Sequence, residues 1–238
     1  MCSSDSSSTR CFDESVKKGC VTIPTYLGRL KLRTHIEEDT ATLASIFSDP
    51  FSRRHLAFLQ PPNGWGDDEN RKINKRWTEN DFNDRVRVQT EKRENGNSCV
   101  LNIILLSSTS GEKSDRCIGT TGFVTIDNDI GYLGIITDKN TTRMGYATEA
   151  LYTATQFAFD KLGVTKIIIQ TDELNEEMRG WCENTAGLNL FYNKQMEING
   201  YKFNECAYTF DIDQWNNTIK NRLQNKMNQF SKSIKTDN

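Results

Sequence analysis

The chain has 238 residues, 36% of them apolar, and its 30 basic side chains against 32 acidic ones leave a net charge of -2. That composition supports one buried core with tails and lacks the positive field that phosphate-backbone binding demands, so nucleic acid is not an expected partner. No apolar run approaches the ~20 residues of a membrane span and the N-terminus lacks the apolar core of a secretion signal, so a soluble protein of the cytoplasm is expected, with the nucleus left open and no membrane partner.

Seven cysteines (Cys2, Cys11, Cys20, Cys99, Cys117, Cys182, Cys206) are odd in number, widely spread and never spaced C-x-x-C. Reduced thiols are expected, and neither a disulfide framework nor a zinc site. With His35 and His55 as its imidazoles, the chain is a poor candidate for a histidine metal centre or a Ser-His-Asp hydrolase, and no metal is expected.

Residues 1–22 are serine-rich and poor in apolar side chains, which predicts a disordered lead. From Thr25 to Thr34, Leu27, Leu30 and Leu32 alternate with Arg29, Lys31 and Arg33, the period of a strand with one buried face. Leu43, Ile46 and Phe47 follow at helical spacing behind the acidic turn Glu37–Asp39, and Asp49-Pro50 stops that helix. The Gln60-Pro61-Pro62-Asn63-Gly64-Trp65 segment is a loop whose Trp65, with Asp67, Asp68 and Glu69, can orient a protonated amine or simply bury an indole. Residues 67–92 are heavily charged, with Ile73, Trp77, Phe82 and Val86 at near-helical intervals, and read as solvated helix with a break near Asn80–Asp81.

Residues 98–106, 116–126 and 131–137 form three strands joined by short polar turns, an antiparallel meander. The last runs through Asp138–Thr142, past Arg143 and Gly145, into an apolar 3.6-period pattern carrying Ala150, Leu151, Ala154, Phe157, Ala158 and Leu162. At such a strand-to-helix turn several backbone amides lack helical partners and the helix dipole adds positive charge, so the site favours an anion. Gly145 permits close approach, Ala147 keeps the first turn narrow, Thr148 offers a hydroxyl and Arg143 a cation, a setting for a diphosphate; an ordinary turn carries the same letters. A β-branched strand at 164–171 after that helix demands a parallel crossover, so the sheet is mixed. A helix over 176–186, strands at 190–198 and 201–210 around the turn Asn199-Gly200, and an amphipathic C-terminal helix complete the order. Its stripe of Trp215, Ile219, Leu223, Met227, Phe230 and Ile234 either docks on the domain or pairs two chains, leaving monomer and homodimer open.

Gly145 and Ala147, followed by Thr148-Glu149-Ala150-Leu151, resemble the pyrophosphate loop of the GNAT superfamily of N-acetyltransferases, Gln/Arg-x-x-Gly-x-Gly/Ala after a strand. Thr142 occupies the Gln/Arg position, and Arg143 carries the basic charge one residue later. Leu30-Lys31-Leu32-Arg33, Gln60-Pro61-Pro62 with Trp65, Ile118-Gly119-Thr120-Thr121-Gly122-Phe123, Asn175, and Gly200 to Glu205 through Trp215 extend the likeness to the RimJ/RimL-like branch, which acetylates ribosomal-protein N-termini.

The resemblance implies an α/β (α+β) GNAT fold: a mixed, mostly antiparallel seven-stranded twisted sheet with splayed central parallel strands and flanking helices. It spans residues 23–215, with a tail at 1–22 and a C-terminal helix or tail at 216–238. It implies acetyl-CoA as cosubstrate, its pantetheine paired with the backbone of Ile135 and Ile136, one of which donates to the oxyanion. Its diphosphate rests on Arg143, Met144, Gly145, Tyr146, Ala147 and Thr148, and Asn175 touches the cofactor. The acceptor is a primary amine, of a protein N-terminus, a lysine or a small molecule, attacking the thioester directly in a ternary complex. Members place a Ser or Tyr general acid where this chain has Met178 and Cys182; Cys182 is a candidate acid or a packing residue, and the general base stays unassigned among carboxylates such as Asp138 and Glu173. The alternatives are a catalytically silent acetyl-CoA-binding or scaffold module and a nucleotide-binding regulator, the latter without a P-loop Lys-Ser/Thr.

Overall fold

Asp13 accepts from the Ser15 amide and Val16 turns inward, which makes a helix, α1 (Glu14–Lys18), where serine-rich composition predicts a disordered lead. The computed structural model in which this is seen describes residues 11–56, 59, 76–198 and 201–236. The physical reason for the difference is that Val16 and Val21 enter the core, and the Asp13 amide donates to the Lys161 carbonyl at 2.8 Å. The next element, β1 (Thr22–Pro24), pairs antiparallel with β2 (Leu30–Arg33) through a turn where Gly28 has φ 68. Residues 22–33 are thus a hairpin rather than one long strand, with Leu27 in its turn, and the sheet has eight strands rather than seven.

A 3-10 turn over Glu37–Asp39 leads into α2 (Thr40–Ser48), and Asp49 caps the short α3 (Pro50–Arg53). The loop Gln60–Pro62, Trp65, Asp67, Asp68, Glu69 and Ile73 lie outside the described residues. The charged run resolves into α4 (Glu79–Glu94), whose start is fixed by a reciprocal capping box between Thr78 and Asp81. The break expected near Asn80–Asp81 is therefore the beginning of the helix.

The meander follows as β3 (Cys99–Leu105), the single turn α5 (Ser107–Ser110), β4 (Arg116–Asp127) and β5 (Ile130–Thr137). Next come α6 (Tyr146–Lys161), β6 (Lys166–Asp172) and α7 (Glu176–Gly180), which continues as a π-helical stretch over Trp181–Ala186. The strands β7 (Leu190–Ile198) and β8 (Tyr201–Asp211) form the terminal hairpin, whose turn at Asn199–Gly200 lies outside the described residues. The chain closes with α8 (Ile212–Gln214), a second π stretch over Trp215–Ile219, and α9 (Lys220–Thr236).

Strand order is β1-β2-β3-β4-β5-β6-β8-β7, with every neighbouring pair antiparallel except β5–β6. Apolar clusters cover both faces. The larger joins Leu30, Leu101, Phe123, Leu151, Phe159 and Tyr208 beneath α6; the smaller joins Leu43, Phe47, Trp77 and Phe82 beneath α2 and α4. Trp215, Ile219, Leu223 and Met227 are buried in the larger cluster. The stripe from Trp215 to Met227 docks on its own domain, so the core does not end at residue 215 and these four side chains are not free to pair two chains. No helix among the described residues is long and apolar enough to cross a membrane.

Candidate active site

The parallel strands β5 and β6 share only the pairs Ile130–Lys166, Gly131–Ile167 and Tyr132–Ile168. Beyond Tyr132, β5 stays bonded to β4 as far as Thr137, and β6 stays bonded to β8 as far as Asp172. Residues 133–137 and 169–172 therefore face each other across a fork, with backbone groups available to an added extended segment. A cavity of about 260 Å³ opens there, lined by Gly134, Ile135, Ile136, Ile168, Gln170 and Glu205 among others.

At the end of β5, Asp138 caps a 3-10 turn (Lys139–Thr141) by accepting from the Asn140 amide at 2.9 Å. Arg143 (φ 60) and Gly145 (φ 73) then both take left-handed backbone, an unusual state for arginine that curls the chain into a nest ahead of α6. The amides of residues 143–148 donate to no acceptor among the described residues; the first helical bond runs from Glu149 N to the Gly145 carbonyl. A Cβ at Gly145 would come within 3.2 Å of the Phe230 ring and 3.3 Å of the Arg29 guanidinium, tight contacts that add to the strain a side chain meets at φ 73.

Arg29 is a cation that the sequence pattern placed on a strand and the fold delivers to this nest. Its Nε donates to Glu149 Oε2 at 2.8 Å, its Nη1 to the Met144 carbonyl at 2.9 Å, and its guanidinium lies 4.8 Å from the Tyr146 ring centroid and 5.7 Å from that of Phe230. Glu149, fully buried, also accepts from the Thr25 hydroxyl and from the amides of Leu27 and Arg29. It thereby locks the β1–β2 turn against the first turn of α6. The visible signal was an acidic residue inside an otherwise apolar helical stretch, which needs a cation when buried.

A family model for the acetyltransferase (GNAT) domain matches residues 29–185. The chain belongs to the GNAT acetyltransferases. A search of curated proteins returns no match. Among solved structures, RimJ of Mycobacterium smegmatis in complex with CoA-disulfide is similar at TM-score 0.64 and 18% identity, over 87% of this chain and 93% of that one. RimL, a ribosomal L7/L12 alpha-N-protein acetyltransferase in complex with coenzyme A, is similar at TM-score 0.61 and 15% identity, over 81% and 99%. The microcin C7 self-immunity acetyltransferase MccE, in complex with acetyl-CoA and AMP, is similar at TM-score 0.57 and 16% identity, over 77% and 93%.

Within this GNAT frame, Ile135 and Ile136 line the fork, and Met144 is exposed at the lip of the nest. Tyr146 and Ala147 open α6, and the Thr148 hydroxyl accepts from Trp181 Nε1 at 3.2 Å, tying the nest to the π stretch across the fork. Asn175 caps α7: its Oδ1 accepts from the Met178 amide at 3.1 Å and its Nδ2 donates to the Thr171 hydroxyl at 2.9 Å. Its side-chain amide holds the mouth of α7 against β6.

Cys182 is fully buried in the larger core cluster, and burial pushes its thiol far above its ordinary value. The geometry fits packing, not proton donation. Asp138 is committed to its cap, and the Glu173 carboxylate accepts from the Asn193 and Asn204 side chains at 2.7 and 2.8 Å. Glu205 instead faces the cavity. It is 8% exposed, and its Oε1 accepts from the Tyr192 hydroxyl at 2.7 Å and from Gln170 Nε2 at 3.1 Å. Its sequence signal was one acid among Phe203, Glu205 and Ala207 on a single face of β8, visible only once the strand and its apolar face are taken together.

Proposed function

We propose that the chain transfers the acetyl group of acetyl-CoA to a primary amine by direct attack in a ternary complex. One observation carries this reading: the nest and the fork sit at successive points of a single strand-to-helix segment, residues 133–148, so one ligand can span both. Arg143 to Thr148, with Arg29, would hold the diphosphate; the fork-side backbone of Ile135 and Ile136 would pair with the pantetheine and meet the oxyanion; Asn175 would border the cofactor. The amine nitrogen attacks the thioester carbon and the C–S bond breaks. One proton of the ammonium passes to Glu205, directly or through a water, and another to the leaving thiolate. Tyr192 and Gln170 orient the carboxylate by donating to it.

The acceptor is a protein N-terminus, a lysine or a small-molecule amine, and the likeness to RimL supports the first of these. A cytoplasmic monomer or homodimer is the proposed form. Purified protein given acetyl-CoA and a panel of amines and peptides tests the reading, with free CoA thiol and acetylated product measured alongside CoA affinity. Turnover supports it. Tight CoA binding with no release on any acceptor supports instead the silent binding module, the reading favoured by Met178 and Cys182 standing where the family has Ser or Tyr. Absence of both binding and release overturns both.

A further inference from the structure

The charged helix α4 spends most of its ions on solvent: Arg87, for example, pairs with Glu91 at 3.1 Å on the outer face. Arg85 does otherwise. It is half-buried, turns toward the sheet, and lines the forked cavity together with Val100 and Thr120. Its guanidinium lies 5.2 Å from the Phe47 ring centroid and pairs with no carboxylate among the described residues. Nearby cations differ: Arg33 has Asp39 at 2.7 Å and Arg54 has Glu177 at 2.6 Å. Stacking on Phe47 explains where the side chain lies, and its fork of N–H donors has no carboxylate acceptor among the described residues. Burial pushes the guanidinium down to about 10, still charged at neutral pH, so Arg85 is a cation taken partly out of water with no ion-pair partner among the described residues.

The same cavity holds Glu205, whose ion-pair contact is with the exposed Lys194 at 3.9 Å and not with Arg85. A pocket with one fixed anion and one fixed cation, kept apart, is complementary to a ligand bearing both charges. We infer that Arg85 recognises a carboxylate on the acceptor, and that the acceptor class is an amine carrying a carboxylate a few bonds away, whether a free amino acid or a peptide N-terminus with an acidic first residue. The inference deepens the acetyl-transfer reading and rests on it for the identity of the amine. At about 260 Å³ the cavity suits an amino-acid-sized group. A polyamine, with no anion to offer, would set a second cation against Arg85.

Two matched pairs of acceptors test this: L-alanine against L-alaninamide, and a peptide beginning with Asp against the same peptide beginning with Asn. Each is measured for kcat/KM and, by calorimetry, for binding to the CoA-loaded protein. In the wild type the carboxylate member of at least one pair is expected to be favoured by about tenfold or more, the size of a charge-assisted contact. Arg85→Gln should bring that ratio close to one, and Arg85→Lys should keep part of it; CoA affinity serves as the control for folding. The pair that discriminates tells the free amino acid from the peptide. Equal treatment of both members in both pairs, or a ratio unchanged in Arg85→Gln, overturns the proposal. Carboxylate-selective binding that Arg85→Gln abolishes, without any transfer, upholds the role of Arg85 and counts against acetyl transfer instead.

Discussion

Replacing Glu149 with Gln tests the junction that builds the nest. The wild-type carboxylate is fully buried and accepts from the Thr25 hydroxyl, two backbone amides and Arg29 Nε. Glutamine keeps one acceptor oxygen but turns an NH2 toward one of these donors, and it leaves the Arg29 guanidinium without its counter-ion. Removing one partner of a buried pair costs about 3–5 kcal/mol, and since the Arg29 side chain keeps 16% exposure the lower end, about 3 kcal/mol, applies. At about 2–4 °C per kcal/mol for a chain of this size, the melting temperature should fall by about 6–12 °C. Urea denaturation at constant slope would give the free energy, and a double-mutant cycle with Arg29→Gln should return a coupling of at least about 1 kcal/mol. CoA affinity should fall too, because Arg29 would no longer be held at the Met144 carbonyl. A loss of stability below about 1 kcal/mol, or a coupling near zero, would refute the argument.

Glu205→Gln should lower kcat by about 10²–10⁴ if this carboxylate takes the ammonium proton, with CoA affinity unchanged in equilibrium binding. Cys182→Ala should retain turnover. In the native protein a thiol reagent should label the exposed Cys11 and Cys20 quickly, and reach Cys99, Cys117, Cys182 and Cys206 only on denaturation, as peptide mass mapping would show. Gly119→Ala places a Cβ 2.1 Å from the Ile136 carbonyl at φ 152, so it should destabilise by about 2 kcal/mol or more and weaken CoA binding by displacing β5, both readable in a ligand-dependent thermal melt.

Much of this architecture was legible because local patterns carry it. The meander, the crossover through α6 and the small residues of the turn ahead of α6 all leave marks in runs of adjacent residues, and the fork lies where the resemblance placed it. What escaped depends on contacts between distant positions. Arg29 meets the Glu149 carboxylate across 120 residues, and no periodicity can announce such a partner. Glu205 is an ordinary strand residue in the sequence, and only the fold sets the Tyr192 hydroxyl of β7 beside it. α1 and β1 were missed because two valines, Val16 and Val21, supply the burial that composition averages away. The start of α4 was overlooked although Thr78 and Asp81 spell a capping box, since the surrounding charge hides any apolar face. Cys182 is a candidate only because it stands where the resemblance puts a general acid, and such a match says nothing about whether a thiol is sealed in the core.

A sheet joined through three residue pairs at one end and parted at the other is mechanically a clasp. Its five-strand arm, β1 to β5, and its three-strand arm, β6, β8 and β7, are joined in the sheet only by the pairing at Ile130–Tyr132 and share one apolar core beneath it. A ligand laid into the parting acts as a missing strand and ties the arms together, so occupancy and rigidity rise as one quantity. Slower amide exchange at residues 133–137 and 169–172 would then report a filled clasp even in a protein whose acceptor has not been supplied.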